Sequence, residues 1–395
     1  MGIFRKEKNA GSQGSGTHSS AAFDPVAPSV ATGERGAFAP VADLMRATVH
    51  AGASDLHISV GMPPILRVHG KLVRFETRAL FPEDTEKFAV ELANGEQLHR
   101  LRTDGSVDFA LTTEGRNRFR ISLYRQKGTT AIALRLLPRQ MLSSEEIGLP
   151  AVVQDLIRLP RGLVLVTGPT GSGKTTSLAA MLNDINLNLG HHIVTIEDPI
   201  EYIHEHQCGL INQREVGTDV TTFSDGLRRA LRQDPDIIFV GEMRDLDTTE
   251  TAIRAAETGH LVFSTLHTTG AGRTVDRIVA AFPGEQQEQI RMQLSTNLKA
   301  VISQILVPRI DRPGRIAVFE VLINTSAVGV LIRDNKTYRL ATEIQTGAKY
   351  GMNTIEQSLV DLYLAGVIAK AEMFGKAQDT ELIAQLLAGR EPRGH

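Results

Sequence analysis

Hydrophobic and polar positions alternate with two periods in the first patterned region of the chain, which begins at Pro40. Apolar residues three and four apart indicate helices, whereas strict alternation indicates half-buried strands. These periods predict a small α/β domain over residues 40–138. Its predicted elements are a helix at 41–49, a strand at 56–60, a helix at 84–92 and strands at 118–123 and 132–136.

A second patterned region, residues 149–372, contains short apolar runs that each end at polar or small residues and alternate with helical stretches. This alternation predicts a mostly parallel sheet covered by helices, in which ligands bind outside the carboxyl ends of the strands. Farther along, a helical period predicts a C-terminal helical region at 286–306 and 353–368. The predicted strands are 163–167, 192–196, 236–240 and 261–265.

Three segments lack these patterns. Residues 1–39 are rich in Gly, Ser, Ala and Pro, which predicts a flexible tail. Residues 139–148 are polar and are interpreted as a hinge between the two domains. Residues 373–395 carry no clear fold signal, so the end of the chain is expected to be loose.

Composition narrows the function classes. The chain has 395 residues, a net charge of −2 and no Trp, so neither a basic surface nor aromatic stacking favours direct binding of nucleic acid. Cys208 is the single cysteine, which excludes an internal disulfide and fits a reducing compartment. No segment approaches the ~20 apolar residues of a membrane span. We therefore expect a cytoplasmic protein without a transmembrane segment.

A phosphate-binding loop follows the apolar run at 163–166 and precedes a helix-forming stretch. Glycines let successive backbone N–H groups surround an anion, Lys174 can reach the outer phosphates, and the Thr175 hydroxyl can bind Mg²⁺. The strand before it and the helix after it disfavour an ordinary glycine-rich turn. The predicted nucleotide-binding residues are Gly168, Pro169, Thr170, Gly171, Ser172, Gly173, Lys174, Thr175 and Thr176.

Two carboxylates and one imidazole follow other predicted strands. Glu197 directly follows the strand at 192–196, Glu242 follows the strand at 236–240, and His267 follows the strand at 261–265. One carboxylate could polarise water while the other holds Mg²⁺ through its bound waters, and His267 could contact a γ-phosphate or a carboxylate. The alternative for the acids is that both are solvated, which the nearby phosphate loop disfavours. The alternative for His267 is a structural histidine, which the polar neighbours Ser264, Thr265, Thr268 and Thr269 disfavour.

Four arginines are candidates for stabilising phosphate charge. Arg228 and Arg232 lie four apart on a predicted helix and could reach an anion together, or they could form a solvated face paired with Asp225 or Asp234. Arg120 and Arg135 lie on the polar faces of two strands in the first domain. These could serve the nucleotide of a neighbouring subunit, although ordinary surface arginines are the simpler interpretation.

From about Val41 to Ile368 the chain resembles the secretion ATPases of type IV pilus and type II secretion machines, and among them the PilT-type pilus retraction ATPases. The motifs that carry the resemblance are Ala53-Ser54-Asp55-Leu56-His57, the phosphate loop, Glu197-Asp198-Pro199-Ile200-Glu201, Arg232-Gln233-Asp234-Pro235-Asp236, Gly241-Glu242-Met243-Arg244-Asp245 and Thr258-Gly259-His260 leading to Ser264-Thr265-Leu266-His267-Thr268.

This resemblance implies a PAS-like N-terminal domain, a RecA-like P-loop ATPase core and assembly as a homohexamer that hydrolyses ATP with Mg²⁺. It implies that Glu197 is the general base, that Glu242 supports Mg²⁺ and that His267 belongs to the histidine box. It also implies that both arginine pairs clamp nucleotide phosphates. The ring would act on pilin subunits through a platform protein of the inner membrane, to whose cytoplasmic face it would be recruited.

The direction of work follows from features that differ among relatives. Assembly-type relatives carry an extra N-terminal domain and a four-cysteine zinc insertion, and this chain has neither, which favours retraction and twitching motility. The retraction motif Ala-Ile-Arg-Asn-Leu-Ile-Arg-Glu is matched only at Ala327, Leu331, Ile332 and Arg333. An accessory retraction, secretion or DNA-uptake ATPase therefore stays open, as does a non-hydrolysing nucleotide-sensing scaffold.

Overall fold

The computed structural model describes residues 39–113, 117–388 and 390. These form two compact units: the first comprises the described residues up to Val107 together with Ser122–Arg135, and the second comprises Asp108–Ile121 and the described chain from Leu136 onward. The predicted tail at 1–39 lies outside the described residues except for its last residue. The predicted domain boundaries stay predictions, and a short helix forms at Ser144–Ile147 inside the proposed hinge.

A six-stranded sheet, in the order β3-β2-β1-β6-β5-β4, contains the strands of the first patterned region. Phe119, Ile121 and Leu123 of β5 are fully buried, as their alternation predicts. The elements are α1 Val41–His50, β1 Asp55–Ile58, β2 Ile65–Val68, β3 Lys71–Arg74, α2 Pro82–Leu92, α3 Gly95–Thr103, β4 Ser106–Thr112, β5 Arg118–Gln126 and β6 Thr129–Leu136.

A seven-stranded sheet, in the order β13-β12-β7-β11-β10-β8-β9, organises the second unit. Its elements are α4 Ser144–Ile147, α5 Val153–Leu156, β7 Gly162–Thr167, α6 Lys174–Asn188, β8 His192–Glu197, β9 Leu210–Glu215, α7 Phe223–Ala230, β10 Ile237–Val240, α8 Leu246–Glu257, β11 Leu261–Leu266, α9 Ala271–Ala280, α10 Gln287–Asn297, β12 Leu298–Pro308, β13 Arg315–Ile323, α11 Ser326–Arg333, α12 Leu340–Thr346, α13 Ile355–Leu364, α14 Lys370–Lys376 and α15 Thr380–Leu387, with 3₁₀ turns at Gly284–Gln286, Thr337–Arg339 and Ala348–Tyr350.

Strand β7 lies inside this sheet and is buried along its whole length. Leu163 and Leu165 pack into the core on one face, whereas Val164 and Val166 pack into the core on the other. A strand covered on both faces reads as a continuous apolar run, which explains the run that the sequence shows. Because β7, β11, β10, β8 and β9 pair in parallel, their carboxyl ends meet at one edge of the sheet.

The predicted α/β fold class, with a parallel core and C-terminal helices, is confirmed, but two local predictions are wrong. The helical interpretation of 286–306 holds only to Asn297, because the following apolar run is strand β12, which pairs with both β7 and β13. The chain after Gly375 also forms a helix, α15, which Asp379 caps and whose Ile383 is fully buried. No helix within the described ranges combines the length and the hydropathy needed to cross a bilayer.

Candidate active site

The phosphate loop connects β7 to the amino end of α6, as the sequence predicts. Gly171 and Gly173 have φ angles of 77° and 88°, a region that glycine adopts without strain. Gly168 has φ 144°, and a Cβ atom there would lie 2.1 Å from the Gln304 carbonyl oxygen. The loop therefore requires its glycines, and it delivers free N–H groups of the first turn of α6 to one place.

Lys174 and Ser172 lie buried at this loop. The Lys174 Nζ donates hydrogen bonds to the carbonyl oxygens of Gly168 at 2.9 Å and Pro169 at 3.2 Å. Burial lowers the pKa of Lys174, while the carboxylates of Glu242 and Glu201 oppose that shift. The Ser172 hydroxyl is buried and has no hydrogen-bond partner among the described residues. A cation and an unpaired hydroxyl beside a helix amino end are groups that a phosphate would satisfy.

The loop region contains three threonines, two of which contact side chains outside it. Thr170 Oγ1 lies 3.3 Å from His267 Nδ1, and Thr176 Oγ1 lies 2.9 Å from the Tyr202 hydroxyl oxygen. Thr175 is half-buried at the first turn of α6. The residue whose hydroxyl the sequence analysis assigns to Mg²⁺ thus lies half-buried next to Lys174.

Glu197 is the last residue of β8 and is only 6% exposed. Its Oε1 accepts hydrogen bonds from Thr195 Oγ1 at 2.6 Å and Gln213 Nε2 at 3.1 Å. Burial, together with the nearby Glu201 and Glu215 carboxylates, raises the pKa of Glu197 to about 7, although the two hydrogen bonds act against that rise. A carboxyl group with this pKa can exchange a proton near neutral pH, as a general base must.

Glu242 and His267 meet beside the phosphate loop. Gly241 follows β10, and its N–H donates to the Ile196 carbonyl at 2.8 Å. The residues after this bonded pair, Glu242 and Glu197, therefore stand at the same end of two neighbouring strands. Glu242 Oε1 lies 3.3 Å from His267 Nε2, and its Oε2 accepts a 2.8 Å hydrogen bond from Arg244 Nε. His267 thus bridges Thr170 and Glu242. The ends of β7, β10 and β11 converge at this point.

The four candidate arginines do not form hydrogen bonds or ion pairs with the phosphate loop within the described residues. Arg228 pairs with Asp247 rather than with Asp225 or Asp234. Helix α7 ends at Ala230, so Arg232 lies beyond it, exposed, and the predicted shared helical face does not form. Arg120 is half-buried. Arg135 Nε donates to Asp55 Oδ1 at 2.8 Å across the β1–β6 pair.

Three side chains that the sequence analysis missed support this site. Gln213 bonds to Glu197, Tyr202 bonds to Thr176, and Gln304 Oε1 accepts a 2.8 Å hydrogen bond from Ser177 Oγ in the first turns of α6. Each lies far from its partner in sequence. For Gln213 the sequence offered only an indirect signal, its position two residues before Glu215 on a short strand. The strand that pairs with it is β8, and this pairing could be known only from the order of strands in the sheet.

The chain matches the family described as type II/IV secretion system protein over residues 37–366. It is 44% identical to the type IV pilus retraction ATPase PilT of Pseudomonas aeruginosa over 341 residues, which cover 86% of this chain and 99% of that protein. The chain belongs to this family, in its PilT branch. The predicted enzyme class, an ATPase, is confirmed by this membership.

This PilT-family chain is also similar to a second pilus ATPase and to a solved PilT structure. It is 39% identical to the type IV pilus ATPase PilU of Pseudomonas aeruginosa over 346 residues, covering 87% of this chain and 91% of that protein. A crystal structure of the pilus retraction motor PilT with bound ADP matches its fold with a TM-score of 0.82 and 42% identity, over 88% of this chain and 99% of that one. The predicted nucleotide binding agrees with the ADP in that structure.

Proposed function

We propose that this PilT-family chain is a Mg²⁺-dependent, ATP-hydrolysing motor that powers type IV pilus retraction. One observation carries the proposal: the phosphate loop, Glu242 and His267 meet at the carboxyl edge of one parallel sheet, and Glu197 ends the strand beside Glu242. The similarity to PilT along 99% of that protein supports retraction as the work that the ATPase performs.

The residues at the loop fit ATP and Mg²⁺. The buried Ser172 hydroxyl, which has no partner among the described residues, and the buried Lys174 suit a polyphosphate. So do Gly168 and Gly173, where a Cβ atom would meet Gln304. Thr175 and Glu242 would hold Mg²⁺, partly through water, since Mg²⁺ prefers oxygen ligands and keeps several waters. When bound, the ion would neutralise charge that develops on the phosphate oxygens.

Within this site the side chains divide the work of hydrolysis. Glu197 accepts a proton from the attacking water, which its pKa near 7 allows. Lys174 stabilises negative charge on the outer phosphate oxygens. His267 holds Glu242 in place and lies within reach of the loop through Thr170. The arrangement favours hydrolysis over a scaffold that only senses nucleotide, because a group to activate water is present.

The remaining parts of the proposal concern assembly. The active form is a homohexamer at the cytoplasmic face of the inner membrane, where it acts on a platform protein of the pilus machine. Arg120, Arg135, Arg228 and Arg232 serve the transition state only in the assembled, nucleotide-bound ring. For Arg135 this role is consistent with a guanidinium group that is fixed at Nε by Asp55 and exposed elsewhere.

Pilus retraction is tested by deleting the gene in the source organism and measuring surface motility and the number of surface pili. Loss of a retraction motor is expected to leave many pili on non-moving cells, and re-expression of this chain should restore movement. Cells that instead lack pili, or that lose only secretion or DNA uptake, would contradict the proposal.

The second candidate is an accessory retraction ATPase, which the partial match to the retraction motif, at Ala327, Leu331, Ile332 and Arg333 alone, keeps open. Loss of an accessory ATPase would leave unloaded retraction intact and lower only the stall force, whereas loss of the main motor would stop retraction. Optical-trap measurements of retraction in cells that lack this chain would separate the two candidates.

A further inference from the structure

Strands β8 and β9 bring two hydrogen-bond donors to one oxygen atom of Glu197. Thr195 and Glu197 are two apart and share a face of β8, and the parallel register places Gln213 of β9 opposite Thr195. Thr195 Oγ1 and Gln213 Nε2 both donate to Oε1, at 2.6 and 3.1 Å. Across the described residues, no group donates a hydrogen bond to Oε2 of Glu197. The two oxygens of this carboxylate therefore have different environments.

The amide of Gln213 is held in one orientation. Its Nε2 also donates to the Tyr202 carbonyl at 2.8 Å, and its Oε1 accepts from the backbone N–H of His204 at 2.8 Å. Both hydrogens and the oxygen are thus engaged, so rotation of the amide would break several bonds at once. Gln213 thereby ties the segment that follows Glu197 to the edge strand of the sheet.

Thr195 is equally constrained. It is fully buried, and its hydroxyl group donates to Glu197. Because Thr195 is β-branched, its χ1 angle has few alternatives in a strand. The donor on one side of Oε1 is fixed by the rotamer of Thr195, and the donor on the other side is fixed by the amide network.

We propose that Gln213 and Thr195 are positioning residues that hold Oε1 of Glu197 and so present Oε2 to the attacking water. The inference rests on the proposed role of Glu197 as the general base. In the reaction, an O–H bond of water breaks as its proton bonds to Oε2, the water oxygen bonds to the γ-phosphorus, and the bond from that phosphorus to the bridging oxygen breaks. ADP leaves with the electron pair.

The competing explanation is that Gln213 and Thr195 only stabilise the fold. A stabilising role predicts a lower unfolding temperature and weaker nucleotide binding, with the same effect whether or not Glu197 is present. A positioning role predicts a loss of kcat that disappears when Glu197 itself is removed, because residues that act as a unit are not additive.

The experiment uses full-length hexamers and four single variants. Thr195→Val removes the hydroxyl at constant shape, and Thr195→Ser restores it. Gln213→Met removes the amide at similar length. Asn212→Leu is the matched control, since Asn212 is an exposed amide of the same strand on the opposite face. Steady-state kcat and KM, ADP affinity, unfolding temperature and hexamer mass are measured for each.

We expect Thr195→Val and Gln213→Met to lower kcat about tenfold or more, within the roughly 10²–10⁴-fold that a general base contributes. The KM for ATP and the ADP affinity should change less than about twofold. Thr195→Ser and Asn212→Leu should stay near wild type. In a Glu197→Gln background, Thr195→Val and Gln213→Met should not lower the residual single-turnover rate further.

Two results would overturn the positioning role. The first is an unchanged kcat in both Thr195→Val and Gln213→Met while Glu197→Gln is inactive. The second is an equal loss with and without Glu197, which would assign the two residues to the fold. Hexamers that give the expected kinetics but do not restore pilus retraction would contradict the proposed function alone and leave the positioning of Glu197 supported.

Discussion

The pH dependence of ATP hydrolysis should follow the ionisation of Glu197. Its pKa in the folded chain is about 7, against an ordinary value of 4.5, mainly because the carboxyl group is buried. A general base must be deprotonated, so kcat/KM should rise with pH through about 7 and level off above it. For a single group with this pKa, the deprotonated fraction grows roughly tenfold between pH 6 and pH 8.

The same shift has a consequence for stability. The folded pKa lies above the unfolded one, so between pH 4.5 and pH 7 the native state keeps a proton that the unfolded state has lost. The free energy of unfolding should therefore fall as pH rises through this window, by up to about 3 kcal/mol from this group. A Glu197→Gln variant cannot titrate at this position and should lose that slope. The free energy of unfolding of the variant minus that of wild type should therefore be larger at pH 8 than at pH 4.5.

The assay is steady-state hydrolysis between pH 5.5 and pH 9 at a constant concentration of the MgATP complex, because a terminal phosphate itself titrates near pH 6. Glu288→Gln is the control, as it removes an exposed carboxylate on α10 and should leave the profile unchanged. Denaturant unfolding of wild type and Glu197→Gln at several pH values measures the stability term. A flat kcat/KM between pH 6 and pH 8 would refute the reasoning.

Four further predictions concern the loop and the assembly. Gly168→Ala should destabilise the chain by about 1–3 kcal/mol or more and abolish nucleotide binding, because its Cβ would meet the Gln304 carbonyl. The control Gly284→Ala should be tolerated, because a Cβ atom there faces open space. Denaturant unfolding and nucleotide titration measure both variants. Lys174→Ala should lower kcat/KM at least a hundredfold, measured by phosphate release, since within the described ranges no other Lys or Arg side chain forms a hydrogen bond with the loop. Mixing Arg135→Ala with Lys174→Ala subunits should restore some activity, and no rescue in well-formed mixed hexamers would count against shared sites. Chelation of Mg²⁺ should stop hydrolysis while leaving the unfolding temperature without nucleotide unchanged, and excess Mg²⁺ should reverse the loss of activity.

The parts of the fold that could be predicted from the sequence are those whose environment is uniform along the element. Strand β7 is buried on both faces, so its continuous apolar run predicted a strand, and the loop after it followed from glycine spacing. Strand β12 has a run of apolar residues that fits either period, and only its pairing with β7 and β13 decides between them. The predicted helix at 286–306 was wrong for that reason.

The candidate site divides in the same way. The placement of Glu197, Glu242 and His267 at one edge of the sheet was predictable, because each lies at the end of a strand of a parallel sheet and the carboxyl ends of such strands meet. Their chemical roles stay predictions. Gln213 and Tyr202 were not, since their roles depend on the pairing of β9 with β8 and on a contact with Thr176. The pairing of Arg228 with Asp247 likewise depends on how α7 packs on α8, which no local pattern encodes.

Single-turnover hydrolysis by Glu197→Gln hexamers tests most directly whether the carboxylate at the end of β8 acts on ATP held by the phosphate loop. Hexamers are loaded with radiolabelled ATP and Mg²⁺, quenched at intervals and assayed for bound ATP and released phosphate. We predict that the variant binds ATP with near wild-type affinity and forms phosphate at least a hundredfold more slowly. Phosphate formed at the wild-type rate would contradict the account.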